Sequence, residues 1–196
     1  MKDVFCQYHK IKEDVIYQTN NFFVKVGFGL IAPGQVMIIP TAHYDSLADL
    51  PKHLEQEFSD LQKMVIGKVS TSFSAPFLIE YGNCGTVQHA HIHVIPKKSD
   101  NFEISNIIDE MIVNGGVPYQ PITLEQFKEN YQPRKNYVLI EDGISCVVSK
   151  EDFSGHRHYF SKTLGVPAVH SWSDLSLEEE IIDQQKREIT RNTLIF

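Results

Sequence analysis

The sequence has few cysteines, no long apolar run and fewer basic than acidic residues, and each shortage excludes a class of protein. Its 196 residues include only three cysteines, Cys6, Cys84 and Cys146, which are too few and too scattered for a disulfide framework. No segment reaches the roughly 18 apolar residues of a transmembrane helix, and the N-terminal residues lack the apolar stretch of a signal peptide. We therefore expect a cytoplasmic protein without a membrane partner.

The charge balance argues against a protein whose main task is to hold nucleic acid. There are 18 Lys and Arg against 25 Asp and Glu, which gives a formal net charge of −7. Nucleic-acid-binding domains are usually basic because they replace counterions on the phosphate backbone. Apolar residues make up 42% of the chain and charged residues 22%, which is typical of a globular protein with a sizeable core.

The first 116 residues show the alternation of strands and helices that is typical of an α+β fold. A helix is predicted after Asp49 and Pro51, where apolar residues recur at spacings of three and four. A second helix is predicted to end at Asn114-Gly115-Gly116. Apolar or alternating segments predict four strands, at Phe22–Ile31, Gln35–Pro40, Phe77–Tyr81 and Gln88–Ile95.

The pattern changes behind this part, and we predict a domain at residues 1–116, a linker at 117–133 and an α/β extension at 134–196. A hairpin is predicted around Glu141-Asp142-Gly143. Ser176 with Glu179 forms a capping-box sequence, and Thr123 with Gln126 has the same spacing. A further helix is predicted from about Ser154 to Leu164.

Three of the nine histidines, His89, His91 and His93, occur within five residues of a predicted strand. Because side chains alternate along a strand, the three would share one face at intervals of about 6.6 Å. A neutral imidazole is a competent nucleophile, and its attack on phosphorus divides one difficult displacement into two easier ones. A solvent-facing strand and an adventitious metal site are the alternative interpretations.

The loop before this strand is a candidate phosphate-binding segment. The Thr86 hydroxyl and the backbone N–H groups near Asn83 and Gly85 could donate hydrogen bonds to phosphate oxygens. The loop is a weak motif by itself.

The residues His89-Ala90-His91-Ile92-His93-Val94-Ile95 resemble the His-φ-His-φ-His-φ-φ signature of the histidine-triad (HIT) nucleotide hydrolases and transferases, where φ is an apolar residue. The segment Ile31–His43 is similar to the family's strand pair, which ends in a Pro-x-x-His turn. The resemblance covers roughly residues 4–97, about half of the chain. It implies a HIT-like antiparallel sheet packed with helices, and a homodimer.

The resemblance also implies roles for these residues. His91 would be the nucleophile that attacks the α-phosphate of a nucleotide, and His89 and His93 would orient it and stabilise charge. Thr86 would lie near the leaving group. The bond cleaved would be a phosphoanhydride, phosphoramidate or acyl phosphate, and no catalytic cofactor would be required.

Two departures from the family pattern keep other functions open. Gln35 stands where family members commonly have His, and residues 25–29 lack the acidic residue that often binds the ribose hydroxyls. We retain Gln35 as a candidate substrate-binding residue. The alternatives are a nucleotide- or metal-binding module without turnover, and a nucleotidyltransferase, although His93 favours the hydrolase.

Four residues resemble the zinc ligands of bacterial HIT proteins, namely Cys6, His9, His43 and His89. Thiolate and imidazole ligands suit tetrahedral zinc, and a site closed by four protein ligands is structural. Without the resemblance, a Cys beside a surface His explains the Cys-x-x-His spacing equally well.

One motif in the extension has two interpretations. In Ser154-Gly155-His156-Arg157-His158, the start of a predicted helix could bind an anion with the help of Arg157. The alternative is a solvated first turn without a ligand.

Overall fold

The computed structural model describes residues 3–82, 87–97, 103–115, 119–143, 146–149, 156–166 and 174–196. Its longer helices are α2 (Lys52–Ser72), α3 (Ile104–Gly115) and α6 (Leu177–Thr193), and its shorter ones are α1 (Tyr8–Ile11), α4 (Leu124–Asn130) and α5 (His156–Leu164). The strands are β1 (Val15–Gln18), β2 (Phe22–Val26), β3 (Val36–Pro40), β4 (Pro76–Gly82), β5 (Ile92–Pro96), β6 (Gln120–Pro121), β7 (Tyr137–Glu141) and β8 (Cys146–Ser149). Among these helices, none combines the length and the apolar composition needed to cross a bilayer.

All eight strands belong to one sheet, in the order β1-β2-β3-β5-β4-β7-β8-β6, and every pairing is antiparallel. The predicted α+β class and antiparallel sheet are confirmed. The sheet continues from β4 into β7, so strands from both halves of the chain share one hydrogen-bond ladder. The predicted linker contributes β6 and α4. The division into 1–116, 117–133 and 134–196 stays a prediction.

Helix α2 covers one face of the sheet. Its buried side chains follow the predicted spacing and pack on inward-facing residues of β2, β3, β4 and β5; on the helix they are Leu54, Leu61, Val65 and Val69. The N-cap position is Pro51 and not Asp49, because a short 3-10 helix, Leu47–Asp49, precedes α2. Burial of this apolar stripe stabilises α2, since propensity alone rarely holds a helix in water.

The opposite face of the sheet is covered by the extension and by N-terminal residues. Phe160 and Leu164 of α5 pack with Phe77, Ile79 and Ile95 of the sheet. At the other end of the same face, Phe5 and Ile11 pack on side chains of β2 and β3. The triad lies on this face, between the two covering elements.

Both sequence-predicted capping boxes are present in the structure. The Thr123 and Ser176 hydroxyls accept from the backbone N–H groups of Gln126 and Glu179. In turn, the side chains of Gln126 and Glu179 accept from the backbone N–H groups of Thr123 and Ser176. Helix α6 packs beside β2. The last helix therefore reaches the half of the sheet that holds the triad.

Candidate active site

The strand register places a row of side chains across the face of the sheet opposite α2. Lys25 pairs with Met37, Met37 with His93, and His93 with Ile79. The alternation of side chains puts these residues on the same side as Phe77 and Ile95. His93 is thus at the centre of the sheet, flanked by β3 and β4.

The histidine segment is less regular than the predicted strand Gln88–Ile95, because β5 begins only at Ile92. The backbone amides of His89 and Ala90 form hydrogen bonds outside the sheet. The His89 N–H donates to the Val87 carbonyl at 3.0 Å, and the Ala90 N–H donates to the Tyr44 carbonyl at 2.6 Å. His89 therefore turns away from the other two histidines and toward the N-terminal segment. The prediction of a regular strand from Gln88 to Ile95 is wrong in this respect.

His91 is buried and held in one tautomer. Its Nδ1–H donates to the His89 carbonyl oxygen at 2.6 Å, since a carbonyl can only accept, so the lone pair of the neutral ring lies on Nε2. The edge of the Phe5 ring approaches it with a centroid separation of 5.3 Å. Burial lowers the pKa of His91 below its usual value, which favours the neutral imidazole at neutral pH.

His93 lies next to His91, with ring centroids 5.0 Å apart, and Gln35 approaches its other side. Gln35 Oε1 accepts from the Ile31 N–H at 2.7 Å, so its Nε2 is the donor that faces His93 Nδ1 at 3.5 Å. This arrangement leaves the proton of neutral His93 on Nε2. Burial, together with the neighbouring charges of His91 and Arg157, lowers the pKa of His93 well below its ordinary value.

A second cluster lies at the N-terminal side of the triad and consists of Asp3, Cys6, His43 and His89. Each residue offers one ligand atom, and the four atoms lie within 4.8 Å of one another. His89 Nε2–H donates to the Pro40 carbonyl at 2.8 Å, which directs Nδ1 into the cluster. There His89 Nδ1–H and His43 Nδ1–H donate to Asp3 Oδ2, at 2.7 Å and 2.8 Å.

The charges within this cluster shift one another. Hydrogen bonds from Cys6, His89 and His43 outweigh burial and lower the pKa of Asp3. The Asp3 carboxylate in turn raises the pKa of His43, and it raises that of the Cys6 thiol to about 11. A carboxylate, two imidazoles and a thiol form a donor set that suits zinc.

His9, predicted as a ligand, lies exposed on α1 and is not part of the cluster, whereas Asp3 is. Sequence reasoning missed Asp3, although Asp3-x-x-Cys6 has the same two-residue gap as Cys6-x-x-His9. The predicted residues Cys6, His43 and His89 are brought together. Asn83, Gly85 and Thr86, predicted to bind phosphate, lie outside the described residues.

Helix α6 stabilises the loop between β2 and β3 through three buried side chains. Asp183 Oδ1 accepts from the Leu30 N–H at 2.6 Å, and Lys186 Nζ donates to the Leu30 carbonyl at 2.9 Å. Thr190 Oγ1 accepts from the Gly34 N–H at 2.8 Å. The loop carries Gln35 at its end, so α6 helps to fix the residue that contacts His93.

Beside this loop lies buried Lys25, the first residue of the segment 25–29 that lacks the acidic ribose ligand common in the family. Its ammonium group lies 3.3 Å from Asp14 Oδ2, and Arg187 and Arg191 of α6 also contact Asp14. The Arg187 guanidinium lies over the Phe28 ring, 4.0 Å from its centroid. The structure thus places cations beside the segment in which the acidic ribose ligand is missing.

The HIT domain family model matches residues 9–100 of this chain. The chain contains a HIT domain. The matched HIT region contains β1 to β5 and α2, together with all three histidines of the triad. Of the four residues in the second cluster, His43 and His89 fall inside the matched region, whereas Asp3 and Cys6 precede it.

Two curated relatives of the HIT protein are named as hydrolases. It is 30% identical over 112 residues to the bis(5'-nucleosyl)-tetraphosphatase (asymmetrical) of Schizosaccharomyces pombe, a match that covers 55% of this chain and 62% of the relative. It is 28% identical over 130 residues to the bis(5'-adenosyl)-triphosphatase of Dictyostelium discoideum, covering 62% of this chain and 85% of the relative. The chain therefore spans less than two thirds of the fission-yeast relative.

Solved structures of HIT proteins also resemble this one. A histidine triad nucleotide-binding protein from Sulfolobus tokodaii has 13% identity and a TM-score of 0.46, and the match covers 97% of this chain and 91% of that one. A zinc-bound histidine triad protein from Mycobacterium smegmatis has 24% identity and a TM-score of 0.41, covering 49% and 75%.

Proposed function

We propose that this HIT protein is a hydrolase that cleaves a nucleotide at its α-phosphate, with His91 as the nucleophile. The observation that carries the proposal is the hydrogen bond from His91 Nδ1–H to the His89 carbonyl, which leaves the Nε2 lone pair free. The lowered pKa of His91 keeps that lone pair unprotonated at neutral pH. A buried neutral imidazole with a fixed tautomer is suited to attack phosphorus.

The proposed reaction has two displacements at one phosphorus atom. His91 Nε2 attacks the α-phosphorus, an N–P bond forms, and the bond to the leaving group breaks with its electron pair going to the leaving atom, which takes up a proton. Water then attacks the same phosphorus, the N–P bond breaks, and a nucleoside monophosphate leaves. The imidazole returns to its starting state and needs no cofactor.

In this proposal His93 binds a phosphate oxygen and does not act as a base. Because Gln35 faces its Nδ1, the ring presents an Nε2–H donor on the side away from the amide. Such a donor stabilises negative charge as it develops on the phosphate oxygens. Gln35 then acts by positioning His93, in contrast to the substrate-binding role predicted for it.

The substrate class that we propose is the dinucleoside polyphosphates, which contain phosphoanhydride bonds. The names of the fission-yeast and Dictyostelium relatives support this choice. Phosphoramidates and acyl phosphates are the other bonds that the same displacement would cleave. A nucleotidyltransferase would use the same first step but would replace water by a second acceptor.

The test is mass spectrometry of the full chain after brief mixing with a panel of substrates. The panel contains diadenosine triphosphate, diadenosine tetraphosphate, adenosine phosphoramidate and an acyl adenylate, and His91→Ala is the inactive variant. We expect a nucleotidyl adduct or nucleotide release that is lost in His91→Ala, while His53→Ala, which changes an exposed histidine of α2, behaves as wild type. Absence of both products with a folded protein would favour a binding module without turnover.

We also propose that Asp3, Cys6, His43 and His89 hold a structural zinc ion. The support is the chemistry of the donor set and its closeness, with four ligand atoms within 4.8 Å. Zinc would join the N-terminal segment to the histidine segment, and it would leave the chemistry at phosphorus to the triad.

Metal analysis of the purified protein tests the zinc proposal. We expect about one zinc per chain in the wild type and a large loss in His43→Ala, because four ligands close a tetrahedral site. His9→Ala is the matched control, since this exposed histidine follows Cys6 by three residues but lies outside the cluster. Equal zinc content in the two variants would contradict the assignment.

A further inference from the structure

Helix α5 of the extension carries a half-buried arginine, Arg157, to the face of the sheet that holds the triad. Phe160 of this helix is fully buried and packs against Phe77, with ring centroids 5.7 Å apart. Phe77 pairs with Ile95, which lies two residues after His93 on the same face of β5. Arg157 precedes Phe160 by about one helical turn, so the anchored helix positions it beside the triad.

The Arg157 guanidinium is only partly satisfied by the protein. Its Nη2 donates to the carbonyl of Gly29, in the loop that leads to Gln35. Its Nε is buried and has no hydrogen-bond partner within the described ranges. Buried polar groups in proteins nearly always have a partner, and a buried N–H that lacks one carries a free-energy cost.

The charges around Arg157 do not balance either. Asp183 is the carboxylate that acts on the pKa of Arg157, and it also acts on that of Lys186. Two cations therefore share one carboxylate, which in addition accepts from the Leu30 N–H. A cation that is partly withdrawn from water and shares its counterion is stabilised when an anion binds beside it.

The same charge reaches the triad. Arg157 is one of the groups that lower the pKa of His93, so its cationic field extends to the ring that borders His91. Arginine is always charged, and its planar fork of donors matches phosphate oxygens better than an ammonium group does.

We propose that Arg157 is a substrate-binding residue that donates to the phosphate groups of the nucleotide held at the triad. The extension then completes the phosphate site of the HIT domain, with Gly29 holding one edge of the guanidinium and the substrate taking the other. This assignment rests on the proposed function for its ligand class, an adenine or other nucleotide with one or more phosphates. It predicts affinity that depends on the phosphate and not on the nucleoside.

Calorimetric titration of the full chain with adenosine 5'-monophosphate and with adenosine tests the assignment. Loss of one charge-assisted contact to phosphate weakens binding by about ten- to hundredfold, so Arg157→Met should raise the Kd for the monophosphate by that factor. The affinity for adenosine should stay unchanged. Lys162→Met, which removes an exposed charge from the same helix, should leave both affinities unchanged.

The conservative variant and a folding control separate binding from packing. Arg157→Lys keeps the positive charge but lacks the planar guanidinium, so its affinity for the monophosphate should be severalfold lower than that of the wild type. If Arg157→Met does not fold, the affinity of Arg157→Lys alone tests the assignment. Wild-type affinity in a folded Arg157→Met or, failing that, in Arg157→Lys would overturn the assignment. An equal loss for adenosine and the monophosphate would do the same, because it would indicate a purely structural role.

The outcomes distinguish this inference from the proposed hydrolase. Binding that depends on Arg157, in a protein without turnover that requires His91, would support the phosphate contact and refute the hydrolase. Turnover that requires His91, with binding and kcat/KM indifferent to Arg157, would support the hydrolase and refute the contact. A wild-type chain that binds no nucleotide would refute both.

Discussion

Glu80 is a buried carboxyl on the face of the sheet opposite the triad. Its Oε1 accepts from the Leu47 N–H at 2.7 Å and from the Ser46 hydroxyl at 3.4 Å, and Ser46 Oγ lies 2.5 Å from the Tyr137 hydroxyl. Burial raises the pKa of Glu80 to about 7 despite these hydrogen bonds. Through Ser46, the residue links the N-terminal half of the chain to Tyr137 of β7.

This raised pKa predicts a pH-dependent stability. The folded state holds the Glu80 proton more tightly than the unfolded chain, whose glutamate titrates near 4.5, so stability should fall as the pH rises from about 4.5 to about 7 and level off above. The contribution is on the order of 3 kcal/mol across that window. In Glu80→Gln, which keeps the acceptor for the Leu47 amide, this decrease should disappear.

Urea unfolding of the wild type and Glu80→Gln at several pH values measures the effect. The difference in free energy of unfolding between the two proteins isolates Glu80 from other titrating groups. A difference that stays constant between pH 4.5 and pH 7 would contradict the prediction. Glu57→Gln is a useful control, since the pKa of that carboxyl is shifted downward.

Individual site residues differ in how far the sequence could predict them. The triad followed from local spacing, and the structure brings His91 and His93 together as expected. Asp3 and Arg157 could not be placed, because their contacts join residues 40 or more positions apart. No periodicity within a segment reports such a contact.

At the scale of elements, the junction of β4 and β7 depends on a missing side chain. Gly82 pairs with Tyr137, whose ring lies across it; a Cβ at this position would lie 1.8 Å from the Tyr137 Cε1 atom. Tyr137 also contacts Phe127 of α4, with ring centroids 4.8 Å apart. A side chain at residue 82 would therefore displace the ring and the helix that packs on it.

We expect Gly82→Ala to lower the free energy of unfolding by about 1 to 3 kcal/mol, the usual cost of overpacking. Gly67→Ala is the matched control, because a Cβ at that position on α2 would meet no atom within 4 Å. That change should stabilise the protein by up to about 1 kcal/mol through helix propensity. Chemical denaturation measures both, and a neutral Gly82→Ala would mean that β7 does not pair as described.

Elements were predictable where their signals were local. The capping boxes at Thr123 and Ser176 are confirmed, since a hydroxyl residue followed three residues later by Gln or Glu is a local signal for a helix N-terminus. The start of β5 was not predictable, because the Ala90 amide bonds to the Tyr44 carbonyl, which is distant in sequence. Tertiary hydrogen bonds here override the alternating pattern.

At the scale of the whole molecule, the single sheet makes the two halves depend on each other. A chain that ends at residue 116 would lack β7, which pairs with all of β4 from Leu78 to Gly82. It would also expose Phe77 and Ile79, which α5 covers. Such a chain retains the predicted domain but leaves an unpaired edge and an apolar face open to solvent.

We therefore expect the truncated chain 1–116 to aggregate or to lack cooperative unfolding, whereas the full chain unfolds cooperatively. Circular dichroism during urea denaturation, combined with light scattering, distinguishes these states. A soluble fragment with a sharp transition would instead show that residues 1–116 fold alone, as the sequence predicts. The homodimer implied by the family resemblance stays a prediction that sedimentation of the full chain would test.

The bonds between α6 and the loop before β3 also affect how the protein is made. Leu30 bonds to Asp183 and Gly34 to Thr190, which are separated by 153 and 156 positions. Synthesis on the ribosome proceeds from the N-terminus, so this loop emerges long before its partners exist. The nascent chain therefore cannot complete the loop that carries Gln35 until residue 190 has been translated, and a ribosome stalled earlier would carry a chain in which the proposed nucleotide site is unfinished.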